Sequence, residues 1–161
     1  MKNVMTVLEG LHSRREKRLL KDLQNVVALL EQARAAQAEA DQALQRFGVE
    51  REQRIQALTA GLLGHEVGLK EVEWFRFQWE EIQNEGLRRK AAAQEAAERV
   101  LQAKERVEEA RQAHHAASRK RTKIQEISLE ISKELKSQAC QAAERQEEEA
   151  LESLISLKGG A

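Results

Sequence analysis

Proline and tyrosine are absent from this chain of 161 residues, which contains one cysteine and eight glycines. A globular domain of this length normally places several prolines in its turns, so their absence excludes a fold with many turns. Aromatic residues make up only 3% of the chain, and 24 of its hydrophobic residues are alanines. Too little large apolar surface remains for a thick globular core. The abundance of Ala, Glu, Gln, Arg, Lys and Leu instead favours helix at nearly every position.

Other absences limit where the protein works and what it binds. No stretch approaches the roughly 18 apolar residues that a membrane span requires, and the first residues lack the apolar core of a signal peptide. We therefore expect a cytoplasmic protein, and the lone Cys140, which permits no internal disulfide, fits a reducing compartment. The 27 basic residues equal the 27 acidic ones, which argues against a nucleic-acid partner.

The glycines predict one reversal of the chain. Gly61, Gly64 and Gly68 lie close together, and glycine is the residue that most readily ends helices. We expect a single domain over residues 1–161, with one helix over about 3–60, a reversal at 61–68 and a second helix over about 68–158. Gly48 is a candidate kink in the first helix.

Both predicted helices carry a coiled-coil pattern, a row of apolar or small residues at alternating steps of three and four that we call the seam. In the second helix the seam runs from Val72 to Leu135, and in the first it runs from Leu23 to Phe47. Nearer the N-terminus, Leu11, Arg15 and Leu19 continue it only by consecutive steps of four, which predicts a stutter.

The two seams predict an all-α fold, a long two-helix antiparallel coiled-coil hairpin with an overhanging C-terminal helix. A reversal centred near Gly64 places Phe47 beside Trp79 and Ile82, and sets two alanine-rich stretches against each other. Met1 then pairs near residue 127, which leaves the end of the second helix unpaired. A parallel homodimer of one continuous helix is the competing geometry, but it leaves the glycine cluster unexplained. We expect a monomeric hairpin.

Four of the five aromatic residues lie just after the predicted reversal: Trp74, Phe75, Phe77 and Trp79. Phe75 and Trp79 are seam positions, whereas one opposing helix cannot also bury Trp74 and Phe77. The cluster can be a hydrophobic plug that closes the tip of the hairpin, or an exposed site that binds a partner. We expect two rings to serve each role.

Basic residues form two clusters that the hairpin brings together, one at 14–21 and one at 119–123. They include Arg14, Arg15, Arg18, Arg119 and Lys120. The ordinary interpretation is a solvated helix surface, and the functional one is a contact with an acidic protein surface; phosphate binding is a weaker third option. Farther along, the unpaired helix carries a run of glutamates and exposes aliphatic residues including Ile131, Leu135, Leu151 and Leu154, which predicts a docking surface.

The sequence contains no pattern that indicates a catalytic site. His114 and His115 are adjacent, so they lie about 100° apart on a helix, unlike the i,i+4 pairs of metal sites. Gly61-Leu-Leu-Gly64 lacks the Lys and Ser/Thr of a phosphate-binding loop. We expect no enzyme activity, no catalytic or metal-binding residue, and no cofactor.

A proline-free hairpin with a long second helix and an aromatic-bearing tip resembles the central stalk proteins of type III secretion and flagellar export (the YscO/FliJ family). The resemblance covers nearly the whole chain and lies in its size, heptad layout and charge pattern. It implies that the open end, with both termini, enters the ring of a hexameric export ATPase. It also implies that the tip reaches toward a membrane export-gate protein, and that secretion chaperones are further partners.

Carried onto this chain, the resemblance implies two binding surfaces. The tip surface comprises Phe47, Trp74, Phe75, Phe77 and Trp79. The open-end surface comprises Arg14, Arg15, Arg18, Arg119, Lys120, Ile131, Leu135, Leu151 and Leu154. The main rival is a structural coiled-coil tether or scaffold with no ATPase partner, and a second rival is a nucleic-acid-associated coiled coil.

Overall fold

The computed structural model describes residues 2–64 and 66–160, and these form two long helices. Helix α1 spans Lys2–Leu62 and helix α2 spans Leu69–Gly159. The two helices are in contact and the described residues contain no strand, so the predicted all-α helical hairpin is confirmed. Neither Gly48 nor any other glycine within α1 interrupts the helix. Met1 and His65, which the predicted register and reversal include, lie outside the described residues.

The connection between the helices is shorter than the predicted reversal, because Gly61 still belongs to α1. Gly64 has a φ of 92°, a left-handed conformation that side chains with a Cβ rarely adopt. Gly68 then caps α2: its N–H donates to Glu71 Oε2 at 2.9 Å. Its carbonyl accepts from the N–H groups of Glu71 and Val72 at 3.1 Å. Glu71 thus satisfies an N-terminal donor in the manner of a capping box.

The chain divides into two compact units, and each helix contributes to both. The hairpin unit is Asp22–Arg111, which contains the connection. The terminal unit consists of the described residues within Met1–Lys21 and Gln112–Ala161. The prediction of one domain over the whole chain stays a prediction.

The core of the hairpin unit is a narrow strip along the seam. Leu30, Val100 and Val107 form its buried cluster, and partly buried seam residues pack against them: Leu23, Val26, Ala33 and Ala103. The buried residues of this unit are all at predicted seam positions, and two of them, Ala93 and Ala96, are small. Small side chains let helix axes approach closely, so this part of the strip packs without forming a thick core.

Phe47 corrects the predicted register. Its ring is 2% exposed and lies against Gly86, where an added Cβ would be 3.1 Å from Phe47 Cε1. Ile82 is nearby as predicted, whereas Trp79, which the sequence placed on the seam, is 37% exposed and stacks on Phe75. The pairing is shifted along α2 by about one helical turn. The reason is the connection, which lies between Leu62 and Leu69 and is therefore centred beyond Gly64.

Charged side chains hold the helices together beside this ring. Glu85 on α2 accepts from Arg89 Nη2 and from Arg54 Nη1 of α1, each at 2.8 Å. The Arg89 guanidinium also lies over the Phe47 ring, 5.2 Å from its centroid. These hydrogen bonds, first from Arg89 and then from Arg54, hold the pKa of Glu85 below its usual value.

We expect Glu85→Gln to remove part of the loss of stability at acidic pH. Because the folded pKa is lower than the unfolded one, ionised Glu85 stabilises the fold above its unfolded pKa. That contribution disappears as the pH falls below about 4.5 and through the folded pKa. Thermal unfolding between about pH 6 and pH 3 should show a smaller drop in Tm for Glu85→Gln than for the wild type. Glu98→Gln, at an exposed position of α2, is the control and should follow the wild-type profile.

Replacing Gly48 with alanine should stabilise the helical fold. A Cβ there meets nothing within 4 Å, and alanine has a higher helix propensity than glycine. We expect Gly48→Ala to raise the free energy of unfolding by about 0.8–1 kcal/mol. Gly86→Ala makes the same exchange, but its Cβ meets the Phe47 ring at 3.1 Å, so its gain should be smaller. Equal gains in urea denaturation would show that Phe47 does not need the space at Gly86.

The terminal unit has a more polar interface, and here the predicted stutter is wrong. Leu11 and Arg15 are exposed, whereas Met5, Glu9, His12, Glu16 and Leu19 are half-buried at regular steps of four and three. Glu16 lies on this inner face because it pairs with Arg121 of α2. Glu16, with the complementary charge of Arg121 opposite it, thus occupies the seam position that the sequence had assigned to Arg15.

Candidate partner-binding surfaces

The tip of the hairpin unit exposes the aromatic cluster. Trp74 and Phe77 are each 58% exposed, and Phe75 is half-buried. Phe75 and Trp79 stack with their ring centroids 6.2 Å apart. Phe47, which the sequence assigned to this surface, is buried against Gly86 and cannot contact a partner while the hairpin stays packed. The tip surface is therefore Trp74, Phe75, Phe77 and Trp79.

Trp74 and Phe77 form one wall of a groove between the two helices. The groove has a volume of about 720 Å³, and α1 contributes Leu58, Gly61 and Leu62 to it. Sequence reasoning missed these three residues, although their spacing of three and four places them on one helix face. Glu71, Glu81 and Glu85 line the same groove, together with Arg54. Glu71 and Glu85 already accept hydrogen bonds within the chain, so the groove is suited chiefly to an apolar segment of another protein.

The terminal unit exposes most of the predicted basic residues. Arg14, Arg15, Arg18, Arg119 and Lys120 are all exposed. Arg121 differs, since it pairs with Glu16, which also contributes to the seam. The hydrogen bond from Arg121 is the main reason why the pKa of Glu16 lies below its usual value. The contact shows that the two basic clusters lie in the same region, as the sequence predicted.

Pairing with α1 ends later along α2 than predicted. Ile131 is half-buried in the terminal unit, so the open-end surface cannot use it freely. From Lys133 to Gly160 every residue is exposed, and we call this stretch the terminal segment. Leu135, Leu151 and Leu154 are 44%, 59% and 57% exposed. An isolated helix that exposes aliphatic side chains in this way is suited to binding a partner.

The described residues present no assembly suited to metal chemistry. No group of three or more His, Cys, Asp or Glu side chains among them is placed to hold a metal ion. The His114 and His115 rings are 6.3 Å apart and tilted, and Cys140 is an exposed free thiol. Neither helix, over its described residues, is long and apolar enough to cross a membrane.

Comparison with known proteins gives one match. The family model described as "Type III secretion protein YscO" matches residues 6–156, which include the whole hairpin unit with its connection and most of the terminal unit. No curated protein and no solved structure matches the chain.

Proposed function

The chain belongs to the YscO family of type III secretion proteins, and on that basis we propose that it is the central stalk or adaptor of an export ATPase complex. In this proposal the protein links a hexameric export ATPase to the membrane export gate. It works in the cytoplasm, at the periphery of the membrane-embedded secretion apparatus. Secretion chaperones are a third class of partner in the same proposal.

The terminal segment is the observation that carries the proposal. Its aliphatic side chains are 44–75% exposed, although burial of each is worth about 1.5–3 kcal/mol. A long exposed helix of this kind can enter the lumen of a ring and bury its apolar face there. We propose that Leu135, Leu151 and Leu154 contact the ATPase, with Arg14, Arg15, Arg18, Arg119 and Lys120 beside them.

The tip surface supports the second contact in the proposal. Trp and Phe rings contribute strongly to protein interfaces, and here two of them are more than half exposed. We propose that Trp74, Phe75, Phe77 and Trp79, with the groove next to them, bind the export-gate protein. Phe47 is left out because its ring is buried.

Replacing both Leu151 and Leu154 with aspartate tests the ATPase contact. We expect the double variant to keep its helicity, because both side chains are exposed, and to bind the cognate hexameric ATPase at least about tenfold more weakly. Stimulation of ATP hydrolysis should be lost with binding. The matched control is the pair Leu87→Asp and Leu101→Asp, which removes two similarly exposed leucines from the hairpin unit and should leave both measurements unchanged.

A tether or scaffold without an ATPase partner is the rival function. It predicts that the wild-type protein neither binds the ATPase nor changes its rate of hydrolysis. Equal binding by the wild type and the Leu151/Leu154 double variant would show that another surface makes the contact.

A further inference from the structure

The outer face of α1 in the terminal unit carries a stripe with two halves. Seven exposed residues follow one another at repeated steps of three, one and three, centred about 120° around the helix from the half-buried seam residues. The first four are aliphatic and the last three are arginines. In chain order they are Val4, Val7, Leu8, Leu11, Arg14, Arg15 and Arg18. We call this row the α1 stripe.

The terminal segment carries a second stripe with the same spacing. Its first three residues are glutamates, the next three are aliphatic and the last is a lysine. In chain order they are Glu144, Glu147, Glu148, Leu151, Leu154, Ile155 and Lys158, all exposed. Among the described residues, neither the three arginines of the α1 stripe nor these three glutamates form an ion pair.

The two stripes are complementary when the helices run antiparallel. With Leu11 opposite Leu151, every aliphatic residue from Val7 to Leu11 meets an aliphatic one, and every arginine meets a glutamate. The opposed pairs are Val7 and Ile155, Leu8 and Leu154, Leu11 and Leu151, Arg14 and Glu148, Arg15 and Glu147, and Arg18 and Glu144. Val4 meets Lys158, whose methylene stem can cover it. A shift by a single heptad would set arginines against aliphatic residues in one direction and aliphatic residues against glutamates in the other, so the register is specific.

We propose that the terminal segment of one copy of this chain binds the α1 stripe of a second copy, in this antiparallel register. The contact cannot form within one chain. Helix α2 is continuous through Gly159 and already runs antiparallel to α1 where Glu16 meets Arg121. If the terminal segment folded back over the α1 helix of its own chain, the two would run parallel. Charged residues of one stripe would then lie opposite aliphatic residues of the other.

The α1 stripe has hollows that can receive side chains. Leu11, Arg14, Arg15 and Arg18, with His12, line one shallow depression, and a second, next to it, is lined by Val7, Gly10, Leu11 and Arg14, with Thr6. A Cβ added at Gly10 would meet nothing within 4 Å, so the surface is open there. Side chains of an opposing helix insert into holes of this kind in coiled coils.

The length of the contact sets its strength. Fifteen residues of helix are about 22 Å long, and such a contact buries less than the roughly 1,600 Å² typical of stable complexes. We therefore expect weak association, with a Kd of about 10–100 µM. The contact joins two different surfaces, so each bound copy keeps one free stripe and can bind another copy. This association needs no ATPase, and it would occupy Arg14, Leu151 and Leu154, which the proposed ATPase contact also uses.

Sedimentation velocity of the full chain tests the proposal without any partner. Between about 5 and 300 µM, the mean mass of the wild type should rise without stopping at a dimer. Raising the salt concentration from about 0.05 to 0.5 M should weaken association at least about tenfold, because three ion pairs contribute to it. A wild type that remains monomeric at about 300 µM in low salt would overturn the proposal.

Charge reversal tests the register. One variant carries Arg14→Glu, Arg15→Glu and Arg18→Glu, and the other carries Glu144→Arg, Glu147→Arg and Glu148→Arg. Each alone should stay monomeric, because its two stripes now repel. Their mixture should associate, and so should the variant with all six changes, since both restore opposite charges. Helicity by circular dichroism should match the wild type in each case.

A variant with three charge reversals in the hairpin unit is the matched control. Arg88→Glu, Lys104→Glu and Arg106→Glu change the same amount of charge at exposed positions of the hairpin unit, and this variant should associate like the wild type. If the stripe reversals also associate like the wild type, or if their mixture stays monomeric, the two stripes do not bind each other.

Discussion

Phe47→Ala is expected to lower the free energy of unfolding by about 3–5 kcal/mol, the usual cost of removing a buried phenylalanine ring. Phe47 is 2% exposed, the lowest value in the described core. Opposite it stands Gly86, which has no side chain to fill the space that the ring leaves. Arg89 also loses the ring face beneath its guanidinium. Urea denaturation measures the loss, which corresponds to a fall in Tm of roughly 10 °C.

Trp74→Ala is the matched control for this prediction. It removes an even larger ring, but from a surface where 58% of the residue is already exposed to solvent. We expect it to lower the unfolding free energy by less than about 1 kcal/mol, within the range of surface substitutions. Under the proposed function, it should instead weaken binding at the tip. A loss as large as that of Phe47→Ala would show that Trp74 is part of the packing.

The second large effect is expected from Leu30→Asp. Leu30 is 7% exposed and belongs to the cluster with Val100 and Val107. The substitution removes a buried leucine side chain, which alone lowers the free energy of unfolding by about 2–5 kcal/mol. It also places a charge without a partner between the two helices. We expect a loss of at least about 3 kcal/mol, large enough to unfold most small proteins partly at moderate temperature. Circular dichroism should show the helix signal melting earlier.

Leu29, the residue before Leu30, provides the control for this prediction. Leu29 is 51% exposed, so Leu29→Asp makes the same chemical change on the outer face of the same helix turn. Its expected cost is only the difference in helix propensity, about 0.5 kcal/mol. Similar losses for the two variants would mean that α1 does not pack through the Leu30 face.

The burial pattern of the hairpin unit was accessible from the sequence, because it depends on local periodicity. Residues three and four apart share a helix face, so the alternation of apolar positions identified Leu30, Val100 and Val107 as core before any partner was known. The same rule failed near Leu11, where the inner face is polar. Residues of this inner face such as Glu16 can be identified only when their contacts on α2 are known.

The tip shows the same division between local and long-range information. The exposure of Trp74 and Phe77 follows from their positions off the seam, and the sequence predicted it. The contribution of Leu58 and Leu62 to their groove depends on how the end of α1 approaches α2. Phe47 was assigned to the tip surface by the family resemblance, although it is a seam position, and the structure buries it against Gly86, about one helical turn from its predicted neighbours.

By itself the sequence determined two long helices, one reversal and the face that each helix buries, because helix propensity, glycine and heptad spacing act over a few residues. The tertiary structure decided which residues face each other across the seam and where pairing ends. A heptad pattern is compatible with several registers one or more heptads apart, and local spacing cannot choose among them. The length of the connection after Leu62, the space at Gly86 and the pair of Glu16 with Arg121 make that choice.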